Sequence, residues 1–317
     1  MKYVIIDLEW NGSGTDKGYF NEIIEIGAVA LDDSMTVSGE FQSFVNPKIT
    51  KKLRGRIKEL THITNDDLKN AGGFVTVYRR FKAWLGEEDN CMLSWGNADI
   101  MVLYENLERY DMLDEIFAVR HYCDAQLMCQ MAVDIPLTKQ VGLSAFAEMA
   151  GVEIGEDPLH RAINDSRLTA RCVAKVFRPE CFDALVKTAD REFYERMNFK
   201  NYCLQDLNDE MIQPRDFMTM CPECHRYMKR ISSYTCRNKK HYATYRCKFC
   251  QFTYHVAHTF KVTYDGLEHK VVCTRIDPPA ESPADGVPNG ESVPDAGSAV
   301  SPDVTGSAVS PDVTGSA

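Results

Sequence analysis

The sequence predicts a mixed α/β domain followed by a small β-type module and a polar tail, and three observations carry that reading. Residues 1–178 alternate short β-branched apolar runs with stretches of helical apolar spacing. Two Cys-x2-Cys pairs, CPEC at 221–224 and CKFC at 247–250, bracket an aromatic, strand-like run. Past residue 276 Pro, Ser, Gly, Ala and Asp take over, and GSAVSPDVT at 297–305 recurs at 306–314. Two copies of a nine-residue polar unit cannot bury a core, so this tail is expected to be disordered. The expected divisions are an α/β domain over 1–178, a polar helical linker over 179–218, the cysteine module over 219–275 and the tail over 276–317.

Each element has a local reason. KYVIIDLEW is too short for a helix core and is followed by the turn-like NGSGTDKG, so it reads as a strand. EIIEIGAVAL and GEFQSFVNP read as the next two strands, the latter stopped by Pro47, and short polar connections make the three an antiparallel meander. Thr64 followed by Asp67 is a helix-start signal. Val77, Phe81, Trp84 and Leu85 then recur at helical spacing. CMLSWG at 91–96 is a further strand, and helices are expected over 98–110, near 143–150 and over 162–177.

Of 317 residues 44% are hydrophobic and 10% aromatic, which excludes a wholly disordered chain. No apolar run approaches the roughly 20 residues of a membrane helix, and Asp7 and Glu9 interrupt the apolar start before a signal peptide could form. A cytoplasmic protein without a membrane partner is expected. The formal net charge of −10 conceals an uneven distribution. Residues 1–220 carry 25 Lys and Arg against 36 Asp and Glu, residues 221–276 carry 11 against 3, and the tail carries none against 7. An anionic partner would therefore dock on the basic stretch, which also holds five of the eight histidines. Cys91, Cys123, Cys129, Cys172, Cys181 and Cys203 lie in apolar patterns and read as buried thiols.

Asp7 and Glu9, two apart in an apolar strand, project from one face. Two neighbouring carboxylates repel and resist burial, and a divalent cation removes both costs. Alternatively the strand ends near residue 6 and both acids face solvent. Asp99 follows a strand-like run at the start of a helix, where an acid is also common for helix-dipole reasons alone. Asp165 lies in the early turns of the last helix of this domain, and His160 precedes it by five residues.

In this order, Asp7 and Glu9 in VIIDLEW, Asp99 in WGNAD, and His160 with Asp165 in HRAIND resemble the DEDD superfamily of 3′–5′ exonucleases. The His-x4-Asp spacing matches its histidine-bearing branch. EIIEIGAV and LTHITNDDL look particularly like the KapD-like enzymes and the eukaryotic 3′ histone-mRNA exonuclease. The resemblance covers residues 1–178 and implies a ribonuclease-H-like mixed sheet flanked by helices. It implies two magnesium or manganese ions, with Asp7 bridging both, Glu9 and Asp165 on the ion that binds the attacking water, and Asp99 acting directly or through coordinated water. His160 would be the general base, and nucleoside 5′-monophosphates would leave one at a time from a free 3′ end of single-stranded nucleic acid. By this resemblance RNA is the expected substrate. DNA, including a proofreading role, comes second, and a nucleic-acid-binding adaptor with an inactive domain is the rival of another class. Trp10, next to the second acid, either approaches the terminal base or packs at the rim of the sheet, whereas Leu8 should enter the core.

Cys221, Cys224, Cys247 and Cys250 offer four thiolates and no carboxylate, a set that suits one structural zinc ion. The segment resembles a zinc ribbon. Redox-active pairs are the alternative, as is exchange of one ligand for Cys236. Arg226, Lys229, Arg230, Lys239, Lys240 and Arg246 interleave with aromatic residues, a pattern suited to single-stranded nucleic acid, with phosphates on the cations and bases on the rings. The same pattern also serves a small core with soluble flanks.

Overall fold

The computed structural model describes residues 1–276 except 17, 51 and 156–158. All but the first residue of the expected tail therefore lies outside the described residues. The chain divides into two compact units. The first gathers residues 1–213 with 238–240 and 259–270, and the second gathers 214–237, 241–258 and the described residues from 271.

In the first unit β1 (Lys2–Thr15), β2 (Gly18–Leu31) and β3 (Val37–Phe44) form the expected antiparallel meander. The first strand is longer than its apolar run suggests. NGSG continues the ladder instead of ending it, because the β1–β2 hairpin pairs through to Thr15 and Gly18. Then come α1 (Gly55–Thr61), α2 (Asn65–Lys69), α3 (Phe74–Leu85), β4 (Asn90–Ser94) and α4 (Ala98–Arg109). Thr64 caps α2 in a reciprocal capping box with Asp67, worth about 1 kcal/mol. They are followed by β5 (His121–Asp124), α5 (Ala125–Ala132), α6 (Leu143–Met149) and α7 (Ala162–Val176). Residues 179–213 add α8 (Pro179–Leu185), β6 (Lys187–Thr188), α9 (Arg191–Asn198) and β7 (Tyr202–Cys203), and belong to this unit.

The sheet runs in the order β3-β2-β1-β4-β5-β6. β4 and β5 lie parallel to β1, and β6 closes the edge antiparallel. This is the mixed, helix-flanked sheet that was expected. Period-2 alternation assigns the two faces. Val4, Ile6, Leu8 and Met92 pack with α3 and α4 around Tyr78, Phe81 and Leu103. Ile5, Cys91, Leu93 and Cys123 pack with α5, α6 and α7 around Met128, Phe146 and Leu168. Five of the scattered thiols are buried as expected, but Cys203 is only half-buried because it sits in the two-residue strand β7. Among the described residues no helix is long and apolar enough to cross a membrane.

The second unit is built from β8 (Lys229–Arg230), β9 (Thr235–Arg237) and parts of β10 (Lys240–Arg246), β11 (Thr253–Thr263) and β12 (Gly266–Arg275). Its core is small, with Met228, Ala243, Tyr245, Tyr254 and Val256 beside Cys221 and Cys247.

Chain order reverses at β1, which lies between β2 and β4, and crevices at such points are where α/β sheets bind ligands. Pairing with β4 ends at Ile5, so the next residues of β1 have no strand on that side. On the other side Gly27 of β2 faces Asp7. A Cβ at Gly27 would collide with the backbone of Ala162 and Ile163, so only glycine lets α7 come this close. Gly27→Ala is expected to cost about 2–4 kcal/mol in urea unfolding. Gly14→Ala, where nothing lies within 4 Å, is expected to change stability by less than about 1 kcal/mol.

Candidate active site and cysteine centre

Asp7 and Glu9 stand on the same side of β1, and Leu8 between them is 2% exposed in the core. The β1–β2 register shifts between Glu9 and Trp10. The extra residue there is Ile24 of β2, and Trp10 both packs partly on the core and lines the cleft of the two acids.

Asp99 sits in the first turn of α4 and is 6% exposed. It accepts a 2.9 Å hydrogen bond from the N–H of Leu8. It therefore turns into the gap left where β4 stops, not outward as a helix-end acid would.

Asp165 is placed by the start of α7. Arg161 donates through Nε and Nη2 to the two oxygens of Glu25 at 3.0 and 2.9 Å. Glu25 lies opposite Glu9 in the ladder, has a fully buried side chain, and also accepts from Ala162 N at 3.3 Å and Gln42 Nε2 at 2.8 Å. Ser166 Oγ donates to the carbonyl of Gly27 at 3.0 Å. Before the helix, His160 takes a left-handed conformation with φ 65°, which lets its N–H donate to Asp165 Oδ2 at 3.0 Å. Its side chain is exposed at the cleft.

The structure thus brings all five expected residues to one cleft of about 690 Å³, with Trp10, Leu60, Trp95 and Leu143 among its apolar walls. One oxygen each of Asp7, Glu9 and Asp165 lie within 4.8 Å of one another. The carboxyls penalise each other's charge. Burial, then the charges of Asp99, Asp165 and Glu9, push Asp7 well above the usual carboxylate range. Burial, then Asp165, Glu25 and Asp99, push Glu9 to about 8, and Arg161 acts the other way. Asp99 rises to about 7, mainly by burial and against the Leu8 hydrogen bond. Asp165 is raised by burial and held back by the His160 N–H. A set of hard oxygen donors destabilised by its own charge fits divalent cations of the magnesium class.

Sequence reasoning missed Glu25, Arg161 and Gly27, which position the site. Glu25 left a signal, an acid inside an apolar strand that needs a buried cation, but nothing local names Arg161 as the partner.

In the second unit the thiols of Cys221, Cys224, Cys247 and Cys250 each lie within 4.8 Å of the others. The two loops use one backbone device. The N–H of Cys221 donates to Arg226 O at 2.8 Å with His225 left-handed, and the N–H of Cys247 donates to Phe252 O at 2.9 Å with Gln251 left-handed. Burial raises the Cys221 pKa, but the backbone N–H groups of Cys224 and Glu223 outweigh it and bring the thiol down to about 7. Cys236 is exposed and outside the cluster.

The basic residues expected to meet nucleic acid are held in different ways. Arg226 lies over the ring of Phe249 at 3.9 Å and Arg230 over that of Tyr234 at 4.6 Å. Lys239 is in the left-handed turn before β10, which Lys240 opens, and both group with the first unit. Lys229 and Arg246 face each other directly across β8 and β10.

An exonuclease family model, RNase T, matches residues 4–173. The chain belongs to this exonuclease family. It is similar to the probable 3′–5′ exonuclease KapD of Bacillus subtilis strain 168, 33% identical over 107 residues, or 32% of this chain and 51% of KapD. It is also similar to the PolC-type DNA polymerase III of the same organism, 28% identical over 176 residues, or 56% of this chain and 11% of the polymerase. The chain thus spans about half of KapD and about a tenth of the polymerase. Among solved structures, the nuclease domain of 3′hExo, a DEDDh family member bound to rAMP, aligns with TM-score 0.49 and 20% identity over 57% of this chain and 93% of that one.

Because the folded state raises these carboxyl pKa values, ionisation destabilises the metal-free fold. That cost is absent below the unfolded-state values near 4 and grows as pH rises toward about 8 at Glu9. In magnesium-free buffer at pH 8, Asp7→Asn is expected to raise the melting temperature by several degrees, and the gain should vanish near pH 4. Differential scanning calorimetry across that range is the check.

Proposed function

We propose that the protein is a metal-dependent 3′–5′ exonuclease that releases nucleoside 5′-monophosphates from the 3′ end of single-stranded nucleic acid, RNA before DNA. The observation that carries this reading is the convergence of Asp7, Glu9 and Asp165 oxygens within 4.8 Å in the cleft that also holds Asp99 and His160. The preference for RNA rests on the likeness of EIIEIGAV and LTHITNDDL to the histone-mRNA enzymes. DNA is the second reading, favoured by the likeness to PolC-type polymerases.

Asp7, Glu9, Asp99 and Asp165 would hold two magnesium or manganese ions, which when bound acidify water and stabilise the attacking and leaving oxygens of an in-line displacement. His160, on an exposed loop beside Asp165, takes the proton of the attacking water through its imidazole. Trp10, in the wall of the cleft, offers a ring to the terminal base, and Leu60 and Leu143 exclude water around it. The four cysteines would hold one structural zinc ion, as a zinc ribbon does. A cytoplasmic location accords with the unpaired thiols of the chain.

The test compares 5′-labelled single-stranded RNA, single-stranded DNA and duplexes with 3′ overhangs in magnesium. Stepwise shortening from the 3′ end is expected, with RNA digested fastest. Asp7→Ala and Asp165→Ala should abolish digestion while the circular dichroism spectrum persists, and His160→Ala should slow it about 10²–10⁴-fold. Undiminished digestion by Asp7→Ala would sink the assignment, and binding without digestion by the wild type would favour the adaptor. Cys247→Ala is expected to lower bound zinc in elemental analysis. Zinc content equal to wild type would overturn the ribbon.

A further inference from the structure

The described residues of the second unit carry eight Lys and Arg against two Asp and Glu. Several of these cations are already engaged. Arg226, Arg230 and Arg275 each lie over an aromatic ring of their own unit. Lys229 and Arg246 are different. They are directly opposed in the antiparallel β8–β10 pair, an arrangement in which like charges repel. Both are exposed, and with Lys248, Ile231 and Gln251 they line a groove of about 260 Å³. The ion pairs found among the described residues reach none of these three cations.

The same sheet face continues with rings. In β10, Tyr245 and Ala243 point into the small core, so by alternation Arg246, Thr244 and Tyr242 share the solvent face. Across the ladder Thr244 faces His255, whose neighbours Tyr254 and Val256 are core. Tyr242, half-buried, and His255, exposed, stack at 5.2 Å with 22° between their planes on this same face.

We infer that this sheet face is a binding surface for single-stranded nucleic acid, with Lys229 and Arg246 on backbone phosphates and the Tyr242–His255 pair under a base. A repulsive cross-strand pair gains stability when a phosphate sits between its members, and a stacked ring pair at the edge of a basic groove is a sequence-tolerant platform for a base. Arg226 and Arg230, also expected from the sequence to make such contacts, lie over rings of their own unit. The inference rests on nucleic acid being the partner of this chain, but not on hydrolysis.

The full chain in an Asp7→Asn background is titrated with fluorescent single-stranded 12-mer RNA and DNA, and anisotropy is followed between 50 and 200 mM salt. Lys229→Glu with Arg246→Glu is expected to raise Kd at least about tenfold. It should also reduce the slope of log K against log salt by about 1.4, or 0.7 for each phosphate contact. Tyr242→Ala with His255→Ala should raise Kd about 5-fold or more and leave the slope unchanged. Arg215→Glu with Arg237→Glu makes the same charge change elsewhere in the unit and should have less than half the effect on log K. Unchanged affinity and slope in the Lys229/Arg246 variant, or an equal loss in the Arg215/Arg237 control, overturns the inference. Digestion by the wild type is measured separately. Digestion with binding indifferent to Lys229 and Arg246 overturns the surface and leaves the exonuclease reading standing. Binding that depends on them without digestion supports the surface and removes the exonuclease reading.

Discussion

The approach of α7 to β2 at Gly27 is the contact on which the acidic cleft depends. Asp7 and Glu9 are fixed by their strand, but Asp165 comes from an element more than 150 residues away and must be delivered within 4.8 Å of them. Hydrogen at Gly27 allows the backbones to meet, and Ser166 then bonds the carbonyl of that same glycine. The Arg161–Glu25 pair locks the angle of entry. Glu25 is fully buried and Arg161 partly exposed, so loss of Arg161, which leaves the buried carboxylate without its cation, is the costlier side of the pair. His160 is the residue immediately before Arg161, so the same lock sets where the left-handed turn places the imidazole.

Glu25 and the cleft carboxyls show opposite answers to one electrostatic problem. Glu25 is buried among donors that satisfy it, and its charge is held by a guanidinium. Asp7, Glu9, Asp99 and Asp165 are gathered with backbone donors only at Asp99 and Asp165. Donors strong enough to satisfy all four would also occupy the lone pairs that a cation needs. The metal-free fold therefore tolerates their repulsion, and the surrounding core bears it. Leu8, between the two strand acids, anchors that part of β1 in the apolar cluster while its own N–H helps to hold Asp99.

Much of this was legible in the sequence because it obeys short periods. Two-residue alternation put Asp7 and Glu9 on one face and Leu8 on the other, and the spacing of His160 and Asp165 on a helix start carried over unchanged. What escaped was set by tertiary contacts. β5 is four residues long, too short to show alternation, and it exists because Cys91–Ser94 offers a parallel edge. The bulge opposite Glu9 and Trp10, where Ile24 is the extra residue of β2, leaves no mark in composition. Arg161 and Glu25 lie 136 residues apart, beyond any local pattern. NGSG reads as a loop on turn propensity alone, but pairing with β2 overrides that preference.

The cysteine module meets a different constraint. Its buried apolar set is too small to hold a fold of this size without a cross-link, and the two equivalent loops that present four thiols supply the place for one. Cohesion supplied by a metal at these thiols would free the sheet's outer face from structural duty. Arg226, Arg230 and Arg275 still help the fold by covering rings, whereas the opposed Lys229 and Arg246 weaken the ladder they sit on. A two-residue strand such as β8 can least afford that repulsion. Stability does not account for the pair, whereas an anionic partner laid across β8 and β10 would.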